Sequence, residues 1–331
     1  MLESDAHDTE RKTVAILKVL SESTESLGSI SIARALEDHG IYLSERAVRY
    51  HLRLTDERGF TRPLGRDGRM LTPKGQEELS NALASEQVGY VIERIASLAY
   101  QTTFDPTTGE GGVVINTSLF ARERFKKALS AMKDAFASGI SVSDRVLVVN
   151  EGEKVGDVVV PEGMVGLATI CSATINGVLL KAGIPMDSRF GGILEIRDRD
   201  PRRFVAIIHY AGSSIDPSLA YIRARMTSVR AAASGGNGKI LANFREIPAA
   251  AKPRVMELTE QLRTYGIGGV VTIGHTSQPL CQIPVGLNKV GVILHGGLNP
   301  VAAAEEAGVE AENIANSGTM EYGKLTSFWD I

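Results

Sequence analysis

Ser44-Glu45-Arg46-Ala47-Val48-Arg49-Tyr50-His51-Leu52-Arg53-Leu54 decides the reading of the N-terminal region. A helix opening after Ser44 puts Val48 and Leu52, four residues apart, on one face. Arg46, Arg49, Tyr50 and Arg53 fall at i, i+3, i+4 and i+7 and share the opposite face. An exposed face with three arginines and a tyrosine suits the major groove of duplex DNA. Arginine is the commonest bidentate reader of guanine, and it also binds phosphate.

Upstream, Val14, Ile16, Leu17 and Leu20 predict a helix beginning near Asp8. Ser29 is expected to N-cap a second helix carrying Ile32, Ala33 and Leu36, which ends at Gly40. Downstream, Phe60 to Leu64 and Arg69 to Thr72 predict two short strands joined by an Asp67-Gly68 turn. Arg62, Arg66 and Arg69 make that hairpin basic. Thr72-Pro73 then starts a further helix. Three helices, a basic hairpin and a helix give the winged-helix order, over residues 1–86. Residues 44–69 hold seven arginines against four acids, and residues 1–43 hold four basic residues against eight acids. The positive charge therefore sits on the two elements that would meet the duplex, where it gains affinity by releasing phosphate counterions.

The whole chain, at 331 residues, has length for two or three domains. It is 43% hydrophobic and 23% charged, with a formal net charge of −3, so DNA contact must rest on a local basic face. No apolar run reaches the roughly 18 residues that span a bilayer, and the acidic, polar start is unlike a signal peptide. Two cysteines cannot form a disulfide framework, and the six histidines are dispersed without metal-ligand spacing. A cytoplasmic protein with no membrane segment and no metal is the expectation.

Residues 88–331 are rich in Gly, Ala, Val and Ile, and they repeat. Pro161, Gly163, Ile170 and Asn176 match Pro284, Gly286, Ile293 and Asn299 at an offset of 123, and Ala182-Gly183 matches Ala307-Gly308 after a two-residue insertion. The repeats cover about 100–196 and 235–325. Helices are expected over 125–136, 178–182 and 253–265, and strands over 146–149, 167–170, 269–273 and 290–294. The result is an α/β or α+β domain of two pseudo-repeated lobes, with ligand between them.

The glycine clusters at 109–112 and 235–238 lack the dinucleotide or phosphate-loop pattern, and read as turns or as amide cradles for an anion. Arg189 and Arg245 lie in otherwise apolar, glycine-rich stretches. Each fits a ligand carboxylate or a structural ion pair, with Glu195 or Glu246 as partner. Cys171 ends a strand, where ligands often bind, yet a buried small cysteine is its ordinary role. Gly212-Ser213-Ser214-Ile215-Asp216-Pro217 is a polar turn whose hydroxyls could orient a ligand. No catalytic constellation stands out, which argues against an enzyme. A metabolic enzyme fused to a winged helix is the alternative.

The 44–52 helix, the Leu71-Thr72-Pro73-Lys74-Gly75 wing exit and the duplicated glycine-rich domain resemble the archaeal global nitrogen regulator (NrpR) family of methanogens. The segments 171–190, 212–217, 226–229 and 243–248 look like its effector domain. The resemblance implies a repressor of nitrogen-fixation and nitrogen-assimilation genes that binds an inverted-repeat operator as a dimer through the effector domain and is released by 2-oxoglutarate. That effector acts without any cofactor. Ser44 joins the arginines and Tyr50 as a DNA contact. Arg189 and Arg245 are the candidates for the effector's carboxylates, with Cys171, Ser172, Thr174, Asn176, Ser213 and Ser214 lining the pocket. Some family members carry two effector domains and this chain carries one, which leaves open a paralogous subunit as partner.

Overall fold

A computed structural model describes residues 2–23, 25–38, 40–65, 68–86 and 89–331. The chain divides into two compact units, residues 1–88 and 89–331.

The first unit runs α1 (Leu2–Ser21), α2 (Ser29–Asp38), α3 (Glu45–Glu57), β1 (Thr61–Pro63), β2 (Arg69–Leu71) and α4 (Pro73–Glu86), a winged helix. Its core is the meeting point of three helical stripes. Ile16, Val19 and Leu20 of α1, Ile32 and Leu36 of α2, and Val48 and Leu52 of α3 pack together. Each such side chain stabilises the fold by about 1.5–3 kcal/mol on burial. A smaller cluster of Val14, Leu17, Phe60 and Leu79 seats the hairpin and α4. The wing gains a third member at Leu27, whose N–H donates to the Arg69 carbonyl at 3.1 Å while the Arg69 N–H donates back at 3.0 Å. Gly68 is required there. Its φ is +103°, and a Cβ would lie 2.4 Å from the Leu27 carbonyl. Asp67 and Arg66 lie outside the described residues.

Two local expectations change. The first helix starts at Leu2, not near Asp8. Ser29 is not an N-cap: it is the first helical residue, Ile32 N–H donates to the Gly28 carbonyl, and the Ser29 hydroxyl donates to Glu45 Oε1 at 3.0 Å.

The second unit opens with α5 (Tyr90–Gln101) and then passes twice through one series. The first pass is β3 (Gly112–Ala121), α6 (Phe125–Ala137), β4 (Arg145–Asn150), the small hairpin β5 (Lys154–Val155) and β6 (Val158–Val159), β7 (Met164–Ile170), α7 (Ala173–Lys181) and β8 (Asp187–Arg197). Then come β9 (Asp200–His209), α8 (Pro217–Arg223) and α9 (Val229–Gly235). The second pass is β10 (Gly238–Pro248), α10 (Lys252–Thr264), β11 (Val270–Ile273), β12 (Lys289–His295), α11 (Asn299–Glu306) and β13 (Glu312–Glu321), and β14 (Thr326–Ser327) follows. Met164 and Lys289 open equivalent strands, as do Asp187 and Glu312, each pair 125 residues apart. The offset of 123 read from sequence is therefore two residues short. The helix expected over 178–182 begins at Ala173.

Two antiparallel five-stranded sheets result, ordered β13-β3-β7-β4-β14 and β11-β12-β10-β8-β9. Each has the strand order of a βαββαβ unit, except that its last strand comes from the other pass. β13 pairs with β3, and β8 pairs with β10. The lobes are thus interlocked by exchanged strands instead of standing apart. Both cores mix the two passes: α6 packs with α11 residues such as Val301 and Ala304, and α7 packs with α10 residues such as Val255 and Leu258. A third cluster fixes α5, with Val91, Ile95 and Leu98 on Val114, Cys171, Ala173 and Tyr210.

Candidate functional site

In the winged helix, the Ser44 hydroxyl caps α3 by accepting from the Ala47 N–H at 3.3 Å. Val48 and Leu52 are buried, while Arg46, Arg49, Tyr50 and Arg53 are exposed on the other side. Arg49 is not idle: its Nη2 holds Glu45 Oε1 at 2.5 Å and its Nε donates to Ser29 Oγ at 3.3 Å, with the side chain still 66% exposed. Arg62 is exposed on β1. Arg69 differs from the expectation. Its Nε is bound to Asp56 Oδ2 at 2.9 Å, and Asp56 also accepts from Thr61 Oγ1, so this arginine ties the wing to α3. Sequence spacing cannot show that pair, because Asp56 lies thirteen residues away. Tyr42, 80% exposed in the turn before α3, was not anticipated. The surface is a basic helix face beside a hairpin.

The second site lies in the larger unit where the two passes cross. Arg245 on β10 is only 1% exposed, and its Nε and Nη1 have no hydrogen-bond partner. A buried guanidinium with unmet donors is costly, so the fold is holding it for something. Its plane lies over Tyr210, 5.1 Å from the ring centroid. Around it a polar network lines a small cavity. Tyr210 OH donates to Asn243 Oδ1 at 2.5 Å, and Asn243 Nδ2 donates to Ser172 Oγ at 3.0 Å. Cys171 Sγ donates to Asn316 Oδ1 at 3.2 Å, and Asn316 Nδ2 donates to Asp216 Oδ2 at 3.3 Å. Gly297 completes the floor; a Cβ there would lie 2.5 Å from Asn116 Nδ2.

Burial dominates the electrostatics. It raises the Asp216 carboxyl above its ordinary value, opposed by the Ser218 N–H and by the Arg245 charge. It pushes the Cys171 thiol up to about 11. The cavity itself is about 20 Å³, room for one water. Asp216, Ala315 and Asn316 separate it from a larger cavity of about 530 Å³ under α5.

Of the expected effector residues, Cys171, Ser172 and Arg245 meet in this cavity. Arg189 does not reach it. Its Nη1 is paired with Glu246 Oε2 at 2.7 Å, in a cluster with Lys289 and Asp187. Thr174 is spent on the backbone, accepting from Val114 N–H at 2.9 Å and donating to its carbonyl at 3.2 Å. Asn299, 125 residues on, clamps Leu241 in the same way, at 2.8 and 2.9 Å. Asn176 donates to Ser188 Oγ. Ser213 donates to the Ile215 carbonyl, and Ser214 lines the larger cavity. The sequence reading missed Asn116, Tyr210 and Asn316, and it placed Asp216 and Asn243 in effector-like segments without naming them as pocket residues. A signal existed for two of them: Asn116 and Asn243 each sit inside an apolar strand run near the start of a pass. Both glycine clusters serve turns: Gly109 and Gly111 have positive φ, and Gly236 caps α9.

Comparison with known proteins agrees with this architecture. Residues 88–327 match the family model for NrpR regulatory domains NRD1 and 2, and residues 14–79 match the ribonuclease R winged-helix domain. The chain is 39% identical to global nitrogen regulator NrpRI of Methanosarcina mazei, over 95% of this chain and 96% of that one. It is 33% identical to global nitrogen regulator NrpR of Methanococcus maripaludis over 90% of this chain, and spans about half (52%) of that relative's length. A crystal structure of a nitrogen repressor-like protein from Methanococcus jannaschii superposes with a TM-score of 0.61 at 26% identity, covering 72% of this chain and 98% of that one. With a winged helix, interlocked regulatory lobes and full-length similarity to named regulators, the chain belongs to the NrpR family of nitrogen-related transcriptional regulators.

Proposed function

We propose that this regulator represses nitrogen-assimilation and nitrogen-fixation genes, binding an inverted-repeat operator in double-stranded DNA and leaving it when 2-oxoglutarate binds. A single winged helix reads a short half-site, so the operator form implies a twofold homodimer, held through residues 89–331, with or without a paralogous subunit. It works in the cytoplasm, without a cofactor.

The observation that carries the reading is Arg245, buried with two unpartnered N–H groups. A dicarboxylate supplies the missing acceptors and the missing negative charge, while Tyr210, Ser172 and the asparagines offer hydroxyl and amide groups for a keto oxygen and the second carboxylate. Catalysis has no comparable support here. Burial keeps the Cys171 thiol protonated at neutral pH, and a thiol is a poor nucleophile. Calorimetric titration of the full chain with 2-oxoglutarate tests the assignment. Saturable binding is expected, with succinate and glutamate weaker; no heat at millimolar ligand would reject it.

A further inference from the structure

Arg245 presents two buried N–H groups without acceptors, and among the described residues no carboxylate lies within ion-pair distance of it. Asp216 is the acid that lines its cavity. The same side chain has two other duties. Its Oδ1 accepts from the Ser218 N–H at 2.8 Å, starting α8, and its Oδ2 accepts from Asn316 Nδ2. Asn316 is a hub. Its N–H donates to Asn116 Oδ1 at 3.0 Å, its side-chain oxygen accepts from Cys171, and its carbonyl accepts from Arg94 Nε at 3.1 Å. It is held at φ +51° in the bulge of β13 between Ile314 and Gly318, a left-handed conformation that a non-glycine residue keeps only when its neighbours hold it there.

Arg94 belongs to α5, as does Val91, whose N–H donates to the Ser213 carbonyl at 3.4 Å in the loop that carries Asp216. Helix α5 begins four residues after α4, the last helix of the winged unit, ends. The space available sets the direction of movement. A cavity of about 20 Å³ cannot hold a five-carbon dicarboxylate, so binding must expand it. The wall formed by Asp216, Ala315 and Asn316 has about 530 Å³ of open volume behind it, beneath Tyr90, Val91 and Arg94.

We propose that Asp216 is a displaceable wall of the Arg245 cavity: a ligand carboxylate enters beside Arg245, and the outward shift of Asp216 and Asn316 loosens their hold on the first turns of α5. A ligand carboxylate brought into a cavity of about 20 Å³ meets the Asp216 carboxyl at close range, so ligand binding and the resting contact of α5 exclude each other. Asp216 is then a positioning residue for the signal and a competitor for the ligand. This inference rests on Arg245 as the carboxylate receptor.

The test follows hydrogen–deuterium exchange of residues 89–101 in the full chain, with and without saturating 2-oxoglutarate, beside calorimetry of the same samples. In the wild type, ligand should raise exchange in the first turns of α5. Asp216→Asn keeps a good N-cap but removes the charge. It should bind 2-oxoglutarate on the order of fivefold tighter or more, with the ligand-dependent change in α5 lost. Asn316→Gly, which suits the left-handed backbone, should bind ligand and likewise lose the α5 response. Wild type that binds ligand with α5 unchanged overturns the inference, as does an Asp216→Asn protein that binds more weakly with its α5 response intact. A wild type that binds no 2-oxoglutarate overturns the effector assignment itself, and this inference with it.

Discussion

Replacing Arg245 with methionine should leave stability close to that of the wild type while abolishing the response to effector. Methionine is close in volume and flexible enough to fill the space. Exchanging a buried, poorly compensated charge for a packed apolar group stabilises proteins by about 1–4 kcal/mol in comparable cases. Against this stands the lost contact of the guanidinium with Tyr210, worth about 2 kcal/mol when desolvated. Asp216 adds little to the loss, because it makes no ion pair with Arg245. The net runs from about 1 kcal/mol against the variant to about 2 kcal/mol in its favour. For a unit of residues 89–331, that is a Tm between about 4 °C lower and about 8 °C higher. The ligand side is larger. Two charge-assisted hydrogen bonds at about 1.5–3 kcal/mol each are lost, so 2-oxoglutarate affinity should fall more than a hundredfold. Trp329 is the single tryptophan and lies in this unit, so its fluorescence reports the melt. Calorimetry reports the ligand. A variant that melts more than about 5 °C lower and still binds 2-oxoglutarate would show Arg245 to be a structural residue.

Three further outcomes are expected. On the reading helix, Arg46→Ala should cost about 1–3 kcal/mol of operator binding if it reads a base, whereas Glu45→Gln should free Arg49 and tighten binding, both seen by gel shift. Gly68→Ala drives a Cβ onto Leu27 at positive φ, so the winged unit should lose at least about 1 kcal/mol and its DNA affinity, measured by denaturant melts and gel shift. Burial lowers His295 from 6.5 to about 4, and its Nδ1 has no partner. Its neutral form is the one the fold accepts, so its share of stability is present above about pH 6.5 and lost as pH falls toward 4, at about 1.4 kcal/mol for each tenfold rise in proton activity. Melts across that range should flatten in His295→Phe.

The winged helix was legible because its order is set by local periodicity. Val48 and Leu52 against Arg46, Arg49, Tyr50 and Arg53 is a pattern that one helix states by itself. Arg69 was misplaced because the same hairpin arginine can face DNA or Asp56, and only the folded register decides. In the larger unit the repeat was visible but misaligned. The ungapped match of Pro161, Gly163, Ile170 and Asn176 placed the two-residue insertion after Asn176; the structure already pairs Asn299 with Thr174, two different side chains doing one job on the backbone. Strand exchange leaves no local trace, since β13 and β3 lie some two hundred residues apart. Arg189 and Arg245 looked alike in sequence. They part company because β8 starts exposed while β10 is buried along nearly its whole length. The acid of the site, Asp216, was hidden in what read as a turn.

The central claim is that effector and operator compete through one protein. The decisive measurement is the operator affinity of the full chain with and without saturating 2-oxoglutarate, paired with 2-oxoglutarate affinity with and without saturating operator, on an inverted-repeat duplex from upstream of a nitrogen-assimilation gene. Linkage requires the two ratios to be equal. The prediction is a weakening of about 5–150-fold in each direction, the range of ordinary allosteric coupling. Equal operator affinity in the presence and absence of bound 2-oxoglutarate would contradict it.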